Sequence, residues 1–165
     1  INQKVILKTW PHQKGKIDFD REYAIYDENK NLLIKGLSKW ILMNYKTRRI
    51  SMFNNIKYPF ECLEETNFEN KFNKIEDFDI NNFSFIETTT SENDLDINGH
   101  VNNASYARIV LNNIDFDITI NHFEINYIKE IKANQKLKIY FLKKDNTYYI
   151  KAFNNEEVIF VLIVY

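Results

Sequence analysis

Between Asp94 and Tyr106 the chain reads Asp-Leu-Asp-Ile-Asn-Gly-His-Val-Asn-Asn-Ala-Ser-Tyr, which places a carboxylate (Asp96), a carboxamide (Asn98) and an imidazole (His100) within five residues. An imidazole with a reference pKa of about 6.5 accepts or relays a proton near neutrality, and a carboxylate can orient it or activate water directly. An amide supplies a donor to a developing oxyanion. Those three groups suit attack by an activated water on a carbonyl. No third ligand joins His100 and Asp96 at metal-binding spacing, so the chemistry implied needs neither metal nor cofactor. Read alone, the stretch is equally a capped loop whose Asp and Asn side chains satisfy backbone donors.

Such groups act only if the elements around them hold still. Gly99 allows a turn through positive φ, and Asn102 and Asn103 offer an N-cap for a helix over 104–113. That helix start adds backbone N–H groups and a favourable dipole for a carbonyl oxygen. Upstream, Phe83 to Thr90 has strand composition; downstream, Ile118 to Ile131 reads as one long strand, Gln135 to Lys144 and Thr147 to Asn154 as a hairpin, and Val158 to Tyr165 as a buried strand. One helix wrapped by such a five-stranded antiparallel sheet is the hotdog arrangement. Residues 1–45 instead read as an antiparallel meander: Val5 to Trp10, a strand centred on Phe19 to Asp27, and Leu32 to Tyr45, with a turn at Asp27 to Asn31. The parity of the second of these strands, with Phe19, Tyr23 and Ile25 on one side and Glu22, Ala24 and Tyr26 on the other, predicts partial cover of both faces. Between these blocks, polar and acidic residues carry Met52-Phe53, Tyr58-Pro59-Phe60, Phe68, Phe72 and Phe78, which predicts a linker that lies against the folded parts. The fold class is thus α+β, divided as 1–50, a linker at 51–82, and 83–165.

A net charge of -1 gives no basic footprint for nucleic acid, and 44% hydrophobic residues are ample for a real core. The longest apolar run, Val158 to Tyr165, has the length of a strand and not of a membrane span. One cysteine, Cys62, and no secretory signal point to the cytoplasm. Because the chain begins at Ile1 and enters a strand at once, the expectation is that its native start is missing. An uncovered meander face is then available to a second chain, including a homodimer partner.

Several blocks resemble the acyl-acyl carrier protein thioesterases. Thr9-Trp10-Pro11, Arg21 to Asp27, Ser38 to Leu42 and Thr47-Arg48-Arg49 are similar to the closing strands of that family's first hotdog. Asp94 to Asn103 with Tyr106 resembles the signature of the second, and Asn126-Tyr127-Ile128-Lys129-Glu130 the segment with the catalytic glutamate. The resemblance implies tandem hotdogs, the first incomplete, that hydrolyse a fatty acyl thioester of acyl carrier protein in fatty acid biosynthesis. It carries catalytic roles onto Asp96, Asn98, His100 and Glu130. Ile131 stands where plant relatives have a cysteine, which excludes a thiol nucleophile there, and Ile109 stands where a tryptophan is common.

Either His100, Glu130 or Asp96 fits the base. Strict alternation along a 118–131 strand sets Glu130 on the face opposite Phe123, Ile125 and Tyr127, so a bulge, or catalysis on that opposite face, is required. Two other functions share these residues: an acyl-binding or assembly module without turnover, and hydro-lyase chemistry on an acyl thioester. Asp94 reads as a cap or turn residue, His12 and His122 as surface or sheet residues, and Trp10 and Trp40 as core or pocket wall. Lys46, Arg48 and Arg49 read as a solvated cluster available to an acidic carrier protein, a role that charge reversal tests through KM.

Overall fold

The computed structural model describes residues 2–44, 46–52, 61–69 and 74–165. The chain forms two compact units, divided between residues 72 and 73.

In the first unit, β1 (Ile6–Pro11), β2 (Asp18–Tyr26) and β3 (Leu32–Ile41) form an antiparallel meander in that order. Its second turn is closed by Asp27, whose carboxylate takes the backbone and side-chain amides of Asn31 at 2.8 and 2.9 Å. β3 ends at Ile41, short of the expected Tyr45, which lies outside the described residues. One face carries Trp10, Glu22 and Ala24, all buried, because residues 61–69 fold across it. Trp10 donates its indole N–H to Glu65 O at 2.9 Å, and Leu63 N donates to Pro11 O at 3.0 Å. On the other face Leu7 and Ile34 are 61% and 60% exposed, while Trp40 stacks on Phe19 and remains half exposed. Of the two tryptophans, Trp10 alone is core.

The second unit is a five-stranded antiparallel sheet in the order β4 (Ser84–Thr89), β6 (Lys136–Lys144), β7 (Thr147–Asn154), β8 (Glu157–Val164), β5 (Phe123–Tyr127). Helix α1 (Asn103–Asn113) packs on one face. Its Tyr106, Ile109 and Val110, followed by Ile114, fall at helical spacing and join Leu137, Ile139, Ile150, Ala152, Phe160 and Leu162 in one core. Register explains the pattern: Ile139, Ala152, Phe160 and Tyr127 form one cross-strand row and Phe141, Ile150, Leu162 and Ile125 the next, all on the helix side. Burying a side chain such as Phe160 stabilises by roughly 1.5–3 kcal/mol. The reverse face is covered by residues 74–78: Ile75 N donates to Asn126 Oδ1 at 2.8 Å, Lys151 Nζ to Asp77 Oδ1 at 2.6 Å, and Phe78 meets Tyr149 edge-on.

Of the inter-block aromatics, Phe68 lies under Lys35 in the first unit and Phe78 belongs to the second. Phe53, Tyr58, Pro59, Phe60 and Phe72 lie outside the described residues. One strand expectation fails: β5 spans five residues, not Ile118 to Ile131. Residues 114–122 cross over without pairing as a strand, pinned by Asp117, which accepts the Tyr148 hydroxyl and, at 2.7 Å, Lys143 Nζ.

Candidate active site

Asp96 builds the loop it belongs to. Its Oδ1 accepts Asn98 N at 2.8 Å and His100 N at 3.2 Å, its Oδ2 accepts Asn98 Nδ2 at 3.2 Å, and its backbone exchanges bonds with Gly99 N and His100 O. The turn needs Gly99 at φ +76°, a region closed to most residues. Desolvation raises the Asp96 carboxyl, but the Asn98 and His100 amides, the Asn98 side chain and the nearby imidazole outweigh it, so the group sits below its ordinary value. Asp96 therefore stays ionised and committed to backbone donors. Asn98 is exposed, with its amide turned to Asp96.

The loop is fixed at both ends. Leu95 and Val101 form an antiparallel bridge, and Asn102 caps α1 by accepting Ala104 N at 2.9 Å. Asp94 is more than a turn residue. It is buried, and its carboxylate takes Ser91 N at 2.7 Å, Ser91 Oγ at 2.8 Å and Arg108 Nη2 at 2.6 Å, while its carbonyl accepts Asn102 N. Burial raises its carboxyl, but Ser91 and Arg108 prevail and hold it low. Arg108 escaped the sequence reading; the available signal was an acid and a base fourteen residues apart, which nothing local marks as a pair.

Glu130 does come to the loop. Ile128 N and Lys129 N both donate to Ile159 O, at 2.8 and 3.1 Å, the two-amides-to-one-carbonyl signature of a β-bulge just beyond β5. Ile159 is itself the extra residue of β8, since Ala152 pairs with Phe160 and Phe153 with Val158. Past the bulge Ile131 O accepts Val101 N at 2.8 Å, which draws residue 130 alongside residue 100. His100 Nε2 and Glu130 Oε2 stand 3.6 Å apart, with side chains 29% and 49% exposed. That separation is an ion-pair distance slightly beyond a hydrogen bond, and such contacts tighten when a substrate closes the site. Alternation broke because the strand did.

Tyr106 walls the site from the helix side. Its ring meets Tyr127 at 5.8 Å and Phe160 at 5.5 Å, and its buried hydroxyl has no hydrogen-bond partner among the described residues. Burial holds this phenol above its ordinary value. Tyr127 donates to Asn103 O at 3.1 Å and so ties β5 to the helix start. The loop, the bulge segment and the first turn of α1 thus converge on one accessible imidazole–carboxylate pair. Among the described residues no three His, Cys, Asp or Glu side chains group as a metal site. Nor is any described helix long and apolar enough to cross a membrane.

Residues 79–157 match the family model of the acyl-ACP thioesterase C-terminal domain, and residues 1–56 that of the N-terminal domain. The chain is 32% identical over 126 residues to an acyl-[acyl-carrier-protein] hydrolase, FATB1, of Cuphea viscosissima, and 30% identical over 131 residues to oleoyl-acyl carrier protein thioesterase 1 of Arabidopsis thaliana, both chloroplastic. These alignments take in 69% and 72% of this chain but only 29% and 36% of those proteins. Among solved structures, an acyl-ACP thioesterase from Bacteroides thetaiotaomicron superposes with a TM-score of 0.78 at 23% identity, over 98% of this chain and 68% of the other. The 12:0-ACP thioesterase from Umbellularia californica gives 0.79 at 20% identity, over 97% and 66%. The fold is therefore the hotdog fold of these structures, complete as helix and five-stranded sheet in the second unit and represented by a three-stranded meander in the first.

Proposed function

We propose that this chain, which belongs to the acyl-acyl carrier protein thioesterase family, hydrolyses the thioester of a fatty acyl-acyl carrier protein and releases the free fatty acid. The observation that carries the reading is the 3.6 Å approach of His100 and Glu130 beside the Asp96-to-His100 loop and the N-terminus of α1.

In the proposed reaction, a water held by His100 or Glu130 attacks the carbonyl carbon and gives up its proton to that group. The carbonyl oxygen becomes an oxyanion beside the Asn98 amide and the N-terminal amides of α1. When the intermediate collapses, the C–S bond breaks, the thiolate of the carrier's pantetheine arm takes the proton back, and a carboxylic acid departs. Asp96 is assigned to holding the loop, because both of its oxygens already accept donors from residues 98 and 100. With Ile131 in place of a thiol, no covalent acyl intermediate is assigned there. The proximity of Glu130 to His100 also favours turnover over simple acyl retention.

Purified chain is assayed for release of free thiol from acyl-acyl carrier protein and acyl-CoA. His100→Ala and Glu130→Ala should retain the circular dichroism spectrum of the parent and lose hydrolysis. Unchanged rates in both variants overturn the assignment.

A further inference from the structure

We propose that Thr90 is a positioning residue for the His100–Glu130 pair, its buried hydroxyl fixing the segment that carries Glu130 to the root of the loop that carries His100. This inference rests on the hydrolytic reading above for its consequence, though not for its geometry.

Thr90 is 1% exposed and stands where β4 ends. Its hydroxyl donates to Lys132 O at 2.7 Å and accepts Gln135 N at 3.1 Å, so both halves of its hydrogen-bonding capacity are spent on the 132–135 turn. Its backbone adds two more bonds to the same turn, Thr90 N to Gln135 O at 3.0 Å and Asn134 N to Thr90 O at 2.8 Å. One residue further on, Ser91 begins the cluster in which Asp94 binds Ser91, Arg108 and Asn102. Residues 90–94 are therefore a shared abutment: one end grips the segment that follows Glu130, the other grips both ends of the His100 loop. Glu130 itself lies beyond the bulge, outside the regular ladder, where the Val101 N–Ile131 O bond holds its segment on one side and the Thr90 contacts hold it on the other.

Valine has the shape of threonine without its hydroxyl. In Thr90→Val the backbone bonds persist, so the turn stays in place, but Lys132 O and Gln135 N lose their buried partner and the segment relaxes. Misplacement of a reacting group by about an ångström lowers turnover by up to about 100-fold. The expected result for Thr90→Val is a kcat about 10- to 100-fold down with KM little changed, and recovery in Thr90→Ser, which restores the hydroxyl. A remote core variant, Tyr148→Phe, which loses its bond to Asp117, serves as the control for destabilisation alone and should keep kcat.

The decisive measurement reads contact directly. At one fixed pH, Glu130→Gln should move the ring nitrogen resonances of His100 in the Thr90 protein and leave them nearly unmoved in the Thr90→Val protein. Equal movement in both backgrounds, no movement in either, or failure of Thr90→Ser to restore the movement lost in Thr90→Val, overturns the proposal. The resonances report whether or not thioesters are cleaved, so intact coupling without turnover counts against the hydrolytic reading alone. Thr90→Cys, similar in size with a weak donor, is carried through the same comparison should the valine variant not fold.

Discussion

Among the described residues histidine meets a carboxylate at His12–Glu22, His100–Glu130 and His122–Glu124; the first two, one in each unit, have different surroundings. In the first unit His12 Nε2 lies 2.8 Å from Glu22 Oε1, and Glu22 Oε2 accepts Asn67 N at 2.9 Å and Asn67 Nδ2 at 3.2 Å. Glu22 is wholly buried. In the second, His100 and Glu130 are 3.6 Å apart and both reach solvent. The first carboxylate is saturated by donors of its own fold and clasps residues 61–69 onto the meander. The second pair is held from behind by loops and faces outward. Residue type and closeness alone do not tell a buried clasp from a solvent-facing pair; accessibility does, with Glu22 wholly buried and Glu130 half exposed.

Exchanging each glutamate for glutamine puts that distinction at risk. Glu130→Gln should lower kcat by roughly 10²–10⁴-fold while the urea midpoint hardly moves, as for a half-exposed loop side chain. Next in size, Asn98→Ala should cost roughly 10²–10³-fold in kcat if its amide serves the oxyanion. A loss equal to that of a remote loop substitution would return Asn98 to the status of a turn residue. Glu22→Gln should do the reverse of Glu130→Gln: hydrolysis per folded molecule unchanged, stability down by about 1–3 kcal/mol, because a buried N–H₂ now meets the donors of Asn67 or His12.

Acid gives a subtler contrast. Burial raises the Glu22 carboxyl, but donors from Thr66, Asn67 and His12 hold it below its reference of 4.5. The unfolded chain therefore takes the proton first, so the stabilisation is complete above that reference and is lost as pH falls through the lower folded value. Urea midpoints measured down that range should decline, and Glu22→Gln should remove the Glu22 share of the decline. The smallest effect expected is Asn102→Ala, about 1 kcal/mol from loss of the cap on α1, read by thermal melting.

Much of the Asp96-to-His100 loop was legible because its causes are local. Asp96 binds residues two and four ahead, Gly99 supplies the positive φ, and Asn102 caps the helix that follows it. The helix of the second unit and its strands, apart from the bounds of β5, were likewise marked by composition and apolar pattern. What was not legible depends on pairs distant in sequence. Nothing within residues 123–131 announces that β5 stops at Tyr127, since the bulge is produced by Ile159 on another strand. Asp94 with Arg108, and Thr90 with Lys132 and Gln135, are separated by 14, 42 and 45 residues. The cover of Glu22 by Asn67 falls in a stretch whose aromatics marked it as lying against the folded parts, but nothing in it marked Asn67 as the partner of Glu22.

The doubly used carbonyl of Ile159 has a consequence for recognising kin. A chain shortened by one residue at Ile128 or Lys129 would keep Asp96, Asn98, His100 and its glutamate, yet lose the half-step that brings the glutamate round. An inventory of signature residues would still score such a chain as competent. On the proposed mechanism, the interval between Val101's partner, Ile131, and the end of β5 at Tyr127 matters as much as the diagnostic side chains themselves.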